Sequence, residues 1–109
     1  MHARMIQVSV KPGKHQEFLK LVRERLPFAN QSPGFVDAVG LTPEDAHGQF
    51  VGIMFWKSSS DAEKYLEGPG KQFLEKVKPF AQGEPRMEAL SVAVSTIRSI
   101  EADRAVAAD

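Results

Sequence analysis

Three side chains in this sequence combine useful chemistry with positions that a fold could turn toward one interior: His15, Trp56 and Tyr65. His15 lies on the apolar flank of a helical pattern, and because imidazole titrates near neutral pH it is the candidate general base. Tyr65 could offer its hydroxyl as a proton donor or acceptor, and Trp56 could stack on an aromatic ligand. Each also has a structural interpretation, as a partly exposed helix start for His15 and as packing aromatics for the other two.

Two further residues are predicted to bind substrate. Gln7 is a polar position within a strand pattern, where it would face either a pocket or an interface, and Phe73 lies on the apolar face of a helical pattern. His47 stands near Glu44 and Asp45, but their spacing is not that of metal ligands, so no metal site is predicted. The chain has no cysteine, which excludes disulfides, a thiol nucleophile and thiolate metal ligation.

The stretch from Phe50 to Trp56 organises the elements that must position these residues. It is an unbroken run of apolar residues and glycine, rich in β-branched and aromatic types, and it predicts a buried strand. Ser58 and Asp61 then have the spacing of a capping box at the start of a helix. Both faces of the strand carry large apolar side chains. Helices of the same chain can cover one face, and we expect a second copy to cover the other, giving a homodimer packed sheet to sheet.

The rest of the chain has further segments with the patterns of strands and helices. Their order, β-α-β-β-α-β, is that of a ferredoxin-like α+β domain, with helices on one face of an antiparallel four-stranded sheet. Pro27 is expected to end or kink the first helix. We expect one domain over residues 1–97 and a C-terminal tail over 98–109. The predicted strands are 4–10, 35–41, 50–56 and 87–97, and the predicted helices are 14–26, 61–66 and 71–80.

Length, charge and the lack of long apolar segments limit the kinds of partner that we expect for this chain. The chain has 109 residues, which suits a single domain, and a formal net charge of zero. Without a basic surplus, nucleic acid is not an expected partner. No segment has the pattern of a signal peptide or the length of a membrane span, so we expect a cytoplasmic protein with no membrane partner.

Several short motifs, taken in order, resemble the antibiotic biosynthesis monooxygenase (ABM) family. The resemblance extends from Met5 to about Val94. It implies a dimeric α/β barrel with a pocket between the sheet and the helices of each subunit. The motifs are VKPGK at 10–14 followed by Phe18 and Leu19, SPGFV at 32–36, and FWKS at 55–58 followed by Ala62 and Leu66.

The resemblance also implies a chemistry. In cofactor-free members of the family the substrate, as a phenolate or stabilised carbanion, itself reduces O₂, and the protein deprotonates and orients it in a dry pocket. The hypothesis is a cofactor-independent monooxygenase acting on O₂ and a small electron-rich aromatic, either a quinol or a polyketide-like molecule. His15 and Tyr65 would be catalytic, Trp56, Gln7 and Phe73 would bind substrate, and no cofactor or metal would be needed.

The sequence departs from the family's patterns at several positions. Gly52 stands where biosynthetic members often carry Asn. The loss of that polar group favours an alternative function, that of a non-catalytic dimeric domain that either binds a small molecule or has a stress-related role. Ile6, Tyr65 and Glu75 stand where haem-degrading members carry Asn, Trp and His, so haem degradation is not expected. Isomerase-like or lyase-like chemistry also stays open, because a fold does not fix a reaction.

Overall fold

A computed structural model describes residues 1–45 and 48–100 of the chain. Four antiparallel strands form one sheet in the order β2-β3-β1-β4, and this confirms the predicted ferredoxin-like α+β fold. The predicted helix over 71–80 is an α-helix that continues as a 3₁₀ turn. In chain order the elements are β1 (His2–Ser9), α1 (His15–Asn30), β2 (Phe35–Leu41), β3 (Gln49–Trp56), α2 (Ser59–Glu67), α3 (Pro69–Val77), the 3₁₀ turn (Lys78–Phe80) and β4 (Arg86–Ser91).

Strand β3 lies between β2 and β1, and its two faces have different surroundings. One face packs beneath the helices, where Phe50 and Trp56 keep only 4% and 1% of their surface exposed. The other face carries Val51, Ile53 and Phe55, which are half-buried. Successive side chains on a strand alternate between faces, so the apolar run does supply two apolar surfaces, as predicted.

The core beneath the helices consists of two aromatic clusters. In the first, the Phe18 ring lies edge-on to Phe50 with 5.0 Å between centroids, and Val77 packs with them. In the second, Trp56 contacts Tyr65 with 5.1 Å between ring centroids. Edge-to-face and tilted pairs of this kind add stability beyond the area they bury. The two clusters fasten the helices to the sheet at two separate places.

Helix α1 does not end at Pro27. It continues to Asn30, so the predicted end of the helix is wrong. A proline inside a helix removes one N–H donor and crowds the carbonyl four residues earlier, and both effects disfavour continuation of the helix. Here the last turn is stabilised by Ala29, which is 1% exposed, and by the Ser32 hydroxyl, which donates to the Phe28 carbonyl at 2.8 Å.

Strand β4 ends at Ser91, before the predicted end at residue 97. Its neighbour in the sheet, β1, begins at His2, the residue that pairs with Ser91, so the ladder between these two strands ends there. Residues 98–100 are helical and return to the sheet. There the Ser99 hydroxyl donates to the Asp37 carboxylate at 3.0 Å, and Ile100 is fully buried. The tail beyond residue 100 lies outside the described residues, and the domain boundary at residue 98 stays a prediction.

The predicted capping box at the start of α2 is present. Ser58 has an extended backbone, its hydroxyl oxygen accepts the Asp61 N–H at 3.1 Å, and its hydroxyl donates to the Asp61 carboxylate at 2.9 Å. We expect Ser58→Ala to lower the free energy of unfolding by about 1 kcal/mol, because an N-terminal N–H loses its partner. Urea denaturation measures the change. Ser60→Ala, on the exposed first turn, is the control and should change stability by less than ~0.5 kcal/mol.

Candidate functional site

A cavity of about 150 Å³ lies between the sheet and helices α1, α2 and α3. Its lining is almost entirely apolar: Ile6 and Met54 come from the sheet, Val22 from α1, and Phe73 and Leu74 from α3. A pocket of roughly this volume can hold a single benzene ring. The space beneath the helices therefore suits an apolar ligand of ring size.

Two glycines that face each other across neighbouring strands form part of the cavity floor. Gly40 on β2 pairs with Gly52 on β3. A Cβ atom would lie 3.0 Å from the Phe50 ring if added at Gly40, and 3.1 Å from both that ring and the Ile6 side chain if added at Gly52. The Phe50 ring thus covers both glycines. An asparagine at position 52 would require the Phe50 ring or the Ile6 side chain to shift by a few tenths of an ångström.

Tyr65 on α2 forms one wall of the cavity. Its ring packs against Trp56, and on its other side it touches the backbone of Gly70, where an added Cβ would lie 2.8 Å from the Tyr65 ring. Burial raises the pKa of the Tyr65 hydroxyl above its usual value of 10.0, although the nearby Arg25 guanidinium acts in the opposite direction. The hydroxyl is therefore protonated at neutral pH, and it is suited to donate a hydrogen bond rather than to act as a base.

The structure brings together two of the five predicted site residues, Tyr65 and Phe73, in the cavity wall. Trp56 is 1% exposed and lies behind Tyr65, so it supports the wall. Gln7 belongs to the face of β1 that points away from the helices. His15 begins α1 and is not among the described residues that line the cavity. The catalytic and binding roles assigned to these residues stay predictions.

Two arginines also line the cavity, and neither was among the predicted site residues: Arg4 and Arg25. The sequence pattern did contain a signal for the inward position of both arginines. Arg4 lies on the same strand face as Ile6, and Arg25 follows Val22 by three residues on the apolar face of α1. Both arginines are half-buried and line the cavity, and from this position a charge can act on a bound ligand.

The Arg4 guanidinium contacts two polar side chains. Its Nη2 lies 2.6 Å from the Glu63 carboxylate, and its Nε donates to His2 Nε2 at 2.7 Å. The His2 imidazole can accept this hydrogen bond only when Nε2 carries no proton. The charge of Arg4 is therefore balanced within the chain, and its position depends on a neutral His2.

Arg25 has no acidic partner among the described residues. Its guanidinium carbon lies 4.0 Å from the centroid of the Phe28 ring, and its Nη2 donates to the Gln72 side-chain oxygen at 3.4 Å. Its Nε is buried without a hydrogen-bond partner in residues 1–45 and 48–100. Aromatic stacking and a long neutral hydrogen bond hold the guanidinium in place but leave its charge uncompensated.

The contact between His2 and Arg4 predicts a dependence of stability on pH. Burial lowers the pKa of His2 below its usual value of 6.5, Arg4 and the N-terminal amine lower it further, and Glu63 opposes them. Because the pKa is lower in the folded chain, the unfolded chain binds more protons between the two values. This contribution to stability is full above pH ~6.5 and is lost as the pH falls through the folded pKa.

We therefore expect His2→Gln, which cannot titrate, to reduce the fall in Tm between about pH 7 and pH 5 relative to the unsubstituted chain. Thermal unfolding followed by circular dichroism at a series of pH values measures the slope. The reduction will be small, since His2 is partly exposed to solvent. An unchanged slope would show that His2 is not neutralised by folding.

Residues 1–83 match the family model described as "Antibiotic biosynthesis monooxygenase". The match spans β1 to the end of the second helical region, and so includes every element that lines the cavity except β4. The chain belongs to the ABM family. A search of curated proteins found no match.

Solved structures share the ABM fold. A Nitrosomonas europaea protein assigned to the antibiotic biosynthesis monooxygenases has a TM-score of 0.77 at 19% identity, and the alignment covers 86% of this chain and 100% of the other. A variant of SnoaB, a cofactor-independent oxygenase from Streptomyces nogalater, has a TM-score of 0.77 at 16% identity, covering 89% and 97%. Rv0793 from Mycobacterium tuberculosis has a TM-score of 0.76 at 10% identity, covering 87% and 97%. At these identities the likeness shows the fold alone.

Two features are absent from the described part of this ABM chain, a membrane-spanning helix and a cluster of metal ligands. No helix there has both the length and the apolar character to span a membrane. No three acidic, histidine or cysteine side chains there converge as metal ligands would. His47 lies outside the described residues. The cytoplasmic location stays a prediction.

Proposed function

We propose that this ABM-family chain is a cofactor-independent monooxygenase that uses O₂ to oxidise a small electron-rich aromatic, either a quinol or a polyketide-like molecule. The observation that supports this most strongly is the ring-sized apolar cavity beneath the helices. Phe73 and Tyr65 offer aromatic side chains at its wall, and the Tyr65 hydroxyl is protonated at neutral pH. An aromatic substrate can bind there with its ring shielded from water and one oxygen near a hydrogen-bond donor.

In the proposed reaction the substrate supplies the electrons. A phenol or quinol loses an O–H proton to solvent, and a ring carbon that carries hydrogen, ortho or para to the resulting phenolate oxygen, bonds to O₂. A proton from solvent completes the hydroperoxide. Loss of water from the hydroperoxide forms the second carbonyl of a quinone, so one oxygen atom enters the product and the other leaves as water. The chain contributes orientation, exclusion of water, and a hydrogen bond from Tyr65 to the developing negative charge.

Oxygen uptake tests the proposal. A panel of hydroquinones, phenols and anthrones is incubated with the protein, and we expect protein-dependent uptake with one atom of ¹⁸O₂ in each molecule of product. Leu74→Trp, which fills the cavity, should abolish uptake, whereas Lys76→Trp on the exposed face of the same helix should not. Absence of uptake across the panel, or equal uptake by both variants, would contradict the proposal.

A second candidate is a binding domain without turnover. The described residues that line the cavity include no carboxylate and no imidazole, so no side chain there is an obvious base. For a binding domain, members of the same panel should raise Tm by binding, with no consumption of O₂. Ligand-induced thermal shifts measured beside oxygen uptake separate the two candidates.

We further propose that the chain acts as a homodimer. The sheet face away from the helices leaves Val39, Leu41 and Leu90 exposed by 42%, 48% and 40%. Exposed apolar side chains that share one face are typical of an interface. Sedimentation at micromolar concentration should give a dimer, and a monomer would contradict this part of the proposal.

A further inference from the structure

We infer that the ligand of the cavity carries an oxyanion bonded directly to its aromatic ring, and that Arg25 binds this oxyanion. The inference rests on the proposed function, because it names the class of aromatic that the cavity takes. It makes Arg25 a residue that determines specificity: an acidic aromatic would be preferred over a neutral aromatic of the same shape.

The surroundings of Arg25 are the first support. The half-buried guanidinium of Arg25 loses part of its hydration at the apolar cavity, and a partly desolvated charge without a counter-ion is costly. Stacking on Phe28 and a 3.4 Å hydrogen bond to Gln72 replace only part of that hydration, and the buried Nε has no partner among the described residues. A ligand oxyanion would supply the missing charge and accept from the donors that remain.

The contrast with Arg4 is the second support. Both arginines line the cavity, but Arg4 is neutralised by Glu63 at 2.6 Å and is held by His2. Within the described part of the chain, Arg25 is thus the cavity cation that lacks an acidic partner. One uncompensated cation predicts a ligand with one negative group rather than two.

The geometry also limits the class of ligand. The rest of the lining is apolar apart from Arg4, which Glu63 neutralises, and Tyr65, whose hydroxyl is a neutral donor, so the remainder of the ligand must be an apolar ring. An arginine binds a carboxylate through two parallel N–H···O hydrogen bonds and a phenolate through one or two such hydrogen bonds. Aryl carboxylates and phenolates share the required chemistry, and the experiment includes both.

Binding of matched pairs of probes tests the inference. Calorimetric titration compares benzoate with neutral benzamide, and 4-nitrophenolate with neutral 4-nitroanisole. We expect the anion of at least one pair to bind roughly tenfold or more tightly than its neutral partner, because hydrogen bonds to a charged group are stronger. Equal affinities within both pairs, or no binding of any of the four probes, would overturn the inference.

Variants identify the residue responsible. Arg25→Gln should remove the preference for the anion and leave the affinity for the neutral probe within about twofold, and Arg25→Lys should keep part of the preference, because it retains charge without the planar fork. Arg23→Gln is the control, because Arg23 carries the same charge two residues away on the exposed side of α1. A preference that survives in Arg25→Gln, or an equal loss for both members of each pair, would overturn the assignment to Arg25.

Failure of this inference can be told apart from failure of the proposed function. An anion preference that depends on Arg25, without oxygen uptake by any substrate, would leave a binding domain for acidic aromatics. Oxygen uptake that is limited to neutral aromatics and unaffected by Arg25→Gln would leave a monooxygenase and overturn the inference.

Discussion

Replacing Trp56 with alanine is expected to lower the free energy of unfolding by about 3–5 kcal/mol. Trp56 is 1% exposed, and its ring packs between Phe35, at 5.5 Å between centroids, and Tyr65, at 5.1 Å. Its removal leaves a void where β3 meets α2, and Ala62 on the buried side of α2 is too small to fill it. Urea denaturation followed by far-ultraviolet circular dichroism measures the loss.

Two controls accompany this measurement. Trp56→Phe keeps a ring in the cluster and should cost clearly less than the alanine variant. Val94→Ala removes an apolar side chain that is 87% exposed, and it should cost less than about 1 kcal/mol. A cost below ~1 kcal/mol for Trp56→Ala would contradict the packing described here.

The largest effect on activity is expected for Tyr65→Phe, which should lower kcat by roughly a hundredfold with little change in KM. The substitution removes one hydroxyl and keeps the ring that packs on Trp56 and Gly70. The hydroxyl is proposed to donate to the oxygen whose negative charge grows in the transition state, so its loss affects turnover more than binding. Steady-state oxygen uptake with the best substrate of the panel measures both constants.

Phe73→Leu is the matched control for this activity prediction. Phe73 lines the same cavity but has no polar atom, so its replacement should raise KM more than it lowers kcat. Because the pKa of Tyr65 is raised, its hydroxyl remains a donor well into the alkaline range. A Tyr65→Phe variant with the kcat of the unsubstituted protein would exclude Tyr65 from the chemistry.

The central strand and the helix start after it could be predicted because their causes are local. An apolar run bounded by Gly48 and Lys57 has few alternatives to a buried strand, and Ser58 with Asp61 fixes the next helix start by hydrogen bonds within four residues. The topology followed from the order of such segments, since hairpins and short helical crossovers leave few arrangements.

The errors in the predicted elements have causes that lie elsewhere in the chain. Helix α1 continues past Pro27 because burial of Ala29 stabilises a turn that proline alone disfavours. Strand β4 ends at Ser91 because its neighbour begins at His2, and no pattern within residues 92–97 records that fact. The local sequence carries no information about where a distant strand begins or how it pairs.

The site could be predicted only in part. Tyr65 and Phe73 line the cavity, and each lies on the apolar face of a helix that must pack on the sheet, although their roles stay predictions. Arg25 was missed because an arginine within a helix is usually assigned to the solvent face, although its spacing from Val22 and Ala29 put it inside. Which apolar-face residues pack tightly and which surround a cavity depends on side-chain volumes from several elements at once.

NMR of the methionine methyl groups during titration with an aromatic ligand tests most directly whether the ligand binds in the cavity. Met54 and Met87 line the cavity from the helix-facing side of β3 and β4, whereas Met1 is not among the described residues that line it. We predict that ring currents from the ligand shift the Met54 and Met87 methyl signals in a saturable way and leave Met1 unchanged. Saturable binding with Met54 and Met87 both unmoved would place the ligand elsewhere and contradict the account.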